Sequence, residues 1–386
     1  MNKIIYMDHA ATTALDKRVL EAMMPYLTTE YGNAGGIYSV GRNASEALSV
    51  ARNQVANLLN ATPDEIYFTS GGTESDNWAI RGVCDANKAK GNHIITTAVE
   101  HHAVLETYKY MEKYGYKTTI IPVDSTGSVN PKDIENAITD KTILVTCMHA
   151  NNEIGTIQPV EEIGKICKAH NIHFHVDGVQ TAGHIKTDVN KIGCDSFALS
   201  GHKFYGPKGI GAMFLKKGSK CSRFMIGGGQ ENNRRAGTHN VAGIVGLGKA
   251  CESAIENMEA EYNQTIRLRD MLIEGIEKSI PDCRLNGHRT NRLPNNVNFI
   301  FKGIEGESLI LFLDMAGVCA SSGSACTSGS LDPSHVLLAI GLIHEQAHGS
   351  LRLTLGKENT EKDIEYVIEK LPGIVERLRK MSPLYN

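Results

Sequence analysis

Apolar positions along this chain repeat with two rhythms. Residues 46–59 (EALSVARNQVANLL) place Leu48, Ala51, Val55 and Leu58 on one face at helical spacing. Short strand-like runs then alternate with helical stretches. IYFTS (66–70) reads as a strand, and GGTESDNWAI (71–80) as a turn entering a helix. HIITTAV (93–99) and TTIIPV (118–123) are further strands, and TILVTCM (142–148) is an unbroken apolar run suited to a strand covered on both faces. EEIGKICKAH (161–170) is an amphipathic helix, followed by the strands HFHVD (173–177), SFALS (196–200) and GAMFL (211–215). This alternation predicts an α/β fold, a mostly parallel sheet wrapped by helices. In such sheets ligands sit beyond the carboxyl ends of the strands, where Asp177 and Ser200 fall, with Lys203 just past one end and Thr73 at a helix start.

From about residue 258 the texture changes. EAEYNQTIRLRDMLIEGIEKSI (259–280) predicts a long charged helix that connects to a second unit. Strand-like NVNFIF (296–301), helix-like ESLILFLDMA (307–316) and a final helix over 360–380 follow. The expected division is a large domain over 15–258 and a smaller α+β domain from 1–14 and 259–386. The Ser- and Gly-rich segment CASSGSACTSGSLDP (319–333) reads as a loop.

Composition narrows the classes. A length of 386 residues suits two domains, and 41% hydrophobic with 22% charged residues suits a soluble globular protein. A formal net charge of -3 gives no nucleic-acid footprint. No apolar run is long enough to span a bilayer, and the start MNKIIYMDHAATT is too short and polar for a secretory signal, so the cytoplasm is the expected location. The nine cysteines are scattered and form no C-x-x-C, which excludes a disulfide framework and a zinc ribbon. Most are expected as buried small hydrophobes, and no resident metal is expected.

Several residues could carry chemistry. Lys203 in SGHKFYGPKG (200–209) leaves a strand end beside Ser200 and His202, a suitable place for a Schiff-base lysine. Alone, a loop lysine is more often simply solvated. SGGTESDN (70–77) offers Gly72 and the Thr73 hydroxyl at a helix N-terminus, which favours an anion but also suits an ordinary cap. Asp177, with Gln180 three residues on, could hold a protonated ring nitrogen. VEHHAV (99–104) offers His101 or His102 for ring stacking. Together these are the handles that pyridoxal phosphate (PLP) needs: a phosphate cradle, a carboxylate, a stacking ring and an amine. Cys326, set among small residues, would be an accessible thiol. IGGGQENNRRAGTHN (226–240) could contact phosphate but is no dinucleotide fingerprint.

These motifs, with MHANNEIG (148–155), RRAGT (234–238) and SSGSACTSGSLDPSH (321–335), resemble the class V branch of the fold-type I PLP enzymes, and within it the NifS/IscS-type cysteine desulfurases. The likeness runs from YMDHAATT (6–13) to LRLTLG (351–356). It implies a fold-type I PLP transferase in which Lys203 binds the cofactor, His101 stacks on its ring and shuttles protons, Asp177 pairs with the ring nitrogen and Gln180 donates to the ring hydroxyl. Thr73, Ser200 and His202, backed by Gly72, resemble phosphate ligands, and Thr238 would reach the phosphate of the neighbouring subunit in a homodimer. Asn152 and Arg352 resemble the pair that grips the carboxylate of L-cysteine, with Asn33 near the substrate. Cys326 is similar to the persulfide cysteine, a transient iron–sulfur ligand at most, and its loop to that of enzymes serving an iron–sulfur scaffold or sulfur-carrier protein. Two features depart from the family's pattern. Asn33-Ala34-Gly35-Gly36 with Tyr38 stands where Asn-Pro-Ser-Ser and a His are common, and Gly72 stands where Ala is frequent. Competing readings are a selenocysteine lyase or an aminotransferase of the same fold, and a non-catalytic subunit that docks partners through 321–335.

Overall fold

The computed structural model describes residues 4–322, 333–383 and 385. Its strands in chain order are β1 (Ile5–Tyr6), β2 (Ile66–Thr69), β3 (His93–Thr97), β4 (Lys117–Ile121), β5 (Thr142–Thr146), β6 (His173–Asp177), β7 (Ser196–Ser200), β8 (Gly211–Leu215), β9 (Cys283–Leu285), β10 (Asn296–Phe301), β11 (Val318–Cys319) and β12 (Ser350–Thr354). A seven-stranded sheet has the order β2-β8-β7-β6-β5-β3-β4. Only β8 runs against its neighbours in it. The apolar run at 142–146 is buried at every position, because helices cover both faces.

One face of this sheet packs Val145, Phe174, Val176, Phe197, Leu199 and Phe214 into the largest core. The opposite face packs Ile94, Leu144, Met213 and Leu215 around Trp78 and Tyr108. Trp78 lies on the helix Gly72–Asn87, is fully buried, and donates its indole N–H to Ser222 O at 2.9 Å. That hydrogen bond removes the cost of burying a polar ring edge.

The helix expected over 259–280 is longer than the charged pattern suggested. It runs Val241–Ser279, and its first part is rich in buried glycine and alanine. Small side chains allow close approach: a Cβ on Gly248 would lie 2.7 Å from Ala51 Cα on the helix Ser39–Leu59. The amphipathic signal is therefore weakest where packing is tightest. Beyond it, β12-β10-β9 form an antiparallel sheet whose own core includes Val297, Phe299, Leu351 and Leu353. β1 pairs in parallel with β11, so the chain start lies against the segment that leads to the 321–335 loop.

Trp78→Ala should lower unfolding free energy by about 3–5 kcal/mol, as expected for emptying a fully buried aromatic site. Denaturant unfolding followed by circular dichroism measures it.

Candidate active site

The site forms where strands end. β2, β3, β5, β6 and β7 all point the same way, and the segments leaving their carboxyl ends surround a cavity of about 290 Å³. Gly72 and Thr73 follow β2, His101 follows β3, and Ala150 and Asn152 follow β5. Asp177 and Gln180 come from the end of β6, and Ser200, His202 and Lys203 from the turn after β7. Arg352 of β12 closes the opposite wall.

Lys203 lies in a short 3-10 turn, Gly201–Lys203, that follows β7 directly. Its Nζ donates to Ala10 O at 2.5 Å and Ala11 O at 2.9 Å. Gln180 Nε2 also donates to Ala10 O, at 3.1 Å. His202 Nδ1 meets Thr12 Oγ1 at 3.1 Å. His101 caps the helix His102–Glu112, its Nδ1 accepting the Ala103 N–H at 3.1 Å. That bond assigns the neutral tautomer with the proton on Nε2. Burial first, then the charge of Lys203, lowers the His101 pKa to about 4, so the ring is neutral at pH 7. His202 falls to about 4 for the same reasons.

The acidic side of the cavity is unusual. Burial pushes Asp177 up to about 6, against a hydrogen bond from Val179 N–H and the charge of Lys203. Glu100, next to His101 in sequence, rises to about 7 through burial. Its Oε1 accepts from Thr97 Oγ1 at 2.6 Å and Met148 N–H at 2.9 Å, while Oε2 is buried with no partner. A protonated carboxyl suits such an oxygen better than a bare charge.

The first described residues, to which no sequence motif assigns a role, build one wall of the cavity. Asp8 Oδ1 accepts from Arg352 Nη2 at 2.8 Å, and Arg352 Nη1 donates to Asn152 O at 3.2 Å. Arg352 is 2% exposed, and its Nε is buried without a partner. The available signal was the pair Asp8-His9 interrupting an apolar stretch. Asn33 and Thr238 do not line this cavity. Both are exposed, and Asn33 Oδ1 accepts the Gly35 N–H at 2.9 Å. Cys326 lies outside the described residues. The ends of its loop lie inside them: Ser321 bridges Arg352 through backbone hydrogen bonds, and Ser334 Oγ donates to the buried carboxyl of Glu153.

The model of the family described as Aminotransferase class-V matches residues 5–367. This chain belongs to that family. The class-V chain is 57% identical over 388 residues to a protein named cysteine desulfurase IscS from Clostridium botulinum, covering 100% of itself and 98% of the relative. A protein of the same name from Methanosarcina thermophila is 55% identical over 383 residues, with 99% and 95% covered. A solved structure of a NifS-like protein superposes with a TM-score of 0.91 at 38% identity, covering 97% of this chain and 100% of its own. Another, described as SspA in complex with cysteine, gives 0.82 at 35% identity, with 91% and 98% covered. The class-V chain is a fold-type I PLP transferase by architecture.

The donor set fits PLP. Hydroxyls of Thr73 and Ser200, His202 and the unpaired N–H groups that begin a helix supply an anion cradle at one end. A carboxyl, a neutral histidine ring and a lysine amine supply the rest. The departure at Gly72 has a steric cause. A Cβ there would lie 2.4 Å from Val179 Cγ2, so Val179 fills the space an alanine methyl would take.

Gly72→Ala should therefore cost about 1–3 kcal/mol by overpacking and weaken PLP retention, and Val179→Ala added to it should restore both. Thermal unfolding and PLP titration of the three variants check this. Glu100 gives a second test. Its raised pKa means that its stabilising contribution is present below the ordinary 4.5 and is lost as pH climbs through about 7. The stability of Glu100→Gln relative to the unchanged protein should rise across that window and level off above it, by about 3 kcal/mol. Denaturant midpoints measured against pH read the slope.

Proposed function

We propose that this chain is a PLP-dependent cysteine desulfurase that turns L-cysteine into L-alanine and holds the sulfur as a persulfide on Cys326. The convergence of Lys203, His101, Asp177 and Arg352 on one cavity carries the reading, in a chain 57% identical to a protein named cysteine desulfurase IscS. The relative described in complex with cysteine supports the substrate.

Bound PLP supplies an aldehyde that condenses with amines and a ring that accepts electron density. Lys203 Nζ holds it, and the carbonyls of Ala10 and Ala11 keep that amine within the cavity. The same Nζ would be the base placed to take the substrate's α-proton. Asp177, one oxygen fixed by the Val179 N–H, presents a carboxylate to the ring nitrogen. Thr73, Ser200 and His202 would hold the phosphate, and Gln180 the ring hydroxyl. His101, its Nδ1 occupied by the Ala103 N–H, would stack on the ring and present its Nε2 proton toward the reacting centre. Arg352 offers its guanidinium fork to the substrate carboxylate, helped by Asn152. The substrate Cβ–S bond breaks, an S–S bond forms at Cys326 Sγ, and Cβ gains a proton as alanine leaves. Cysteine plus one thiol becomes alanine plus one persulfide, so atoms balance without an outside oxidant.

The protein works as a homodimer in which Thr238, exposed and outside its own cavity, completes the phosphate site of the neighbouring copy. Asn33 lies outside the cavity as well. A scaffold or sulfur-carrier protein takes the sulfur onward, in the cytoplasm. Nucleic acid and membrane play no part.

Cys326→Ser should retain yellow, PLP-loaded protein but lose alanine formation from cysteine; unchanged turnover would sink the persulfide assignment and favour an aminotransferase. Lys203→Ala should lose the absorbance of lysine-bound PLP, and persistence of that band would place the cofactor lysine elsewhere.

A further inference from the structure

Strand β6 has a face that its pattern does not explain. HFHVD alternates polar and apolar residues, the mark of a strand with one wet side. Phe174 and Val176 point into the main core as expected. Yet His175 and Asp177 on the other face are also buried, beneath the helix Gly72–Asn87. That face carries a line of hydrogen bonds. Asp76 Oδ1, on the helix and lining the cavity, meets His175 Nε2 at 3.0 Å. His175 Nδ1 meets Ser196 Oγ of β7 at 2.9 Å, and the same oxygen meets His173 Nε2 at 2.8 Å. Asp76, His175 and Ser196 are at most 1% exposed. His173 is partly exposed and borders a second cleft at the amino ends of the strands, with Asp195 and Lys216. The line thus runs along β6 from His173 to His175, roughly 7 Å of strand, and then across to Asp76 at the cavity.

We propose that Asp76, His175, Ser196 and His173 form a proton path that sets the charge on the Asp76–Asp177 carboxyl pair from behind the active site. The proposal deepens the PLP reading, because Asp177 matters as the partner of the ring nitrogen. The Ser196 hydroxyl decides the logic. It has one hydrogen, so it donates to one imidazole and accepts from the other. Two arrangements result. In the first, the Asp76 O–H donates to His175 Nε2, the His175 Nδ1–H donates to Ser196 Oγ, and Ser196 donates to His173 Nε2. In the second every bond is reversed. To pass between them, Asp76 gives its proton to His175 Nε2, His175 passes its Nδ1 proton to Ser196 Oγ, and Ser196 passes its own to His173 Nε2. His173 then releases its Nδ1 proton to water. Each O–H or N–H broken is matched by one formed, and one proton leaves Asp76 without crossing the cofactor cavity.

The charges around the path favour this use. Asp76 faces His175 and Asp177 of β6 and Glu100 after β3, and Lys203 faces Asp177. Burial, then Asp177 and Glu100, raises the Asp76 pKa well above the carboxylate range. Asp76 is therefore the member that keeps a proton so that Asp177 can ionise. Both histidines are held neutral by burial, near 3, with Lys216 adding to the effect at His173. Neutral rings are what a two-way relay needs. His173, His175, Ser196 and Asp76 act as positioning residues, through Asp177.

The test uses the full chain with ¹⁵N-labelled histidine. In cofactor-free protein, NMR should show His175 and His173 exchanging tautomers together as pH is varied. Ser196→Ala, which removes the hydroxyl and adds no bulk, should uncouple them. With PLP bound, the same variant should keep its cofactor but shift the pH midpoint of the cofactor absorbance by about one unit. His173→Gln keeps a hydrogen bond at the partly exposed end but cannot relay a proton, and it should also uncouple His175, which covers a Ser196 variant that fails to fold. Histidines that titrate independently in the unchanged protein, or a midpoint that Ser196→Ala leaves in place, would overturn the path. A protein that never turns yellow would instead defeat the PLP reading, and the cofactor-free spectra would still judge the relay.

Discussion

The cavity depends on one short segment of backbone, Met7–Thr13, stitched to two sheets at once. On one side Thr354 N–H donates to Met7 O at 2.7 Å, and Thr354 Oγ1 accepts the Ala10 N–H at 2.9 Å. On the other, Thr13 N–H donates to His202 O at 2.9 Å, and Lys203 reaches Ala10 and Ala11. The Asp8–Arg352 pair lies between these attachments, with the arginine fully enclosed. A buried guanidinium without its carboxylate would be strongly destabilising, so the pair is satisfied or the wall does not form. Lysine and arginine, about 150 positions apart in sequence, thereby keep a fixed separation.

The second constraint is electrostatic. Asp76, Glu100, Asp177 and Glu153 are all buried, and all have pKa values raised by burial. Charging every one would cost more than the enclosed cations repay. The fold spreads the load by giving different carboxyls different partners. Glu153 accepts a hydrogen bond from the Ser334 hydroxyl and lies within the field of Arg352, whereas Glu100 has backbone and threonine donors on one oxygen only. Environment separates groups of identical chemistry, which is how one cavity and its surroundings can hold both a charged carboxylate and neutral ones.

The alternation of strands and helices was legible in the sequence, because period and covering are local properties. HFHVD, SFALS, GAMFL and NVNFIF fall on β6, β7, β8 and β10 with matching ends. The gathering of Lys203, Asp177, His101 and Thr73 was also legible, since all four lie just beyond strand ends. The role of Asp8 was not. It arises from a single parallel bridge to Thr354, a contact across almost the whole chain that no local period announces. The hidden polar face of β6 escaped for a related reason. Alternation reports that two faces differ, not that one of them meets water, and here a helix covers it. The early start of the long helix at Val241 was masked by glycines whose purpose is close packing.

The remaining thiols bear on fidelity. Among the described cysteines, 84, 147, 167, 194, 221 and 251 are buried, and burial pushes their thiols upward, Cys84 and Cys221 to about 12. Only a thiolate attacks a sulfur–sulfur bond at a useful rate. Cys283 and Cys319, only partly buried, are raised as well, so every described thiol disfavours the thiolate that would compete for a sulfane sulfur carried on such a protein. Packing that looks purely structural also insulates the cargo, leaving the choice of recipient to whatever docks from outside.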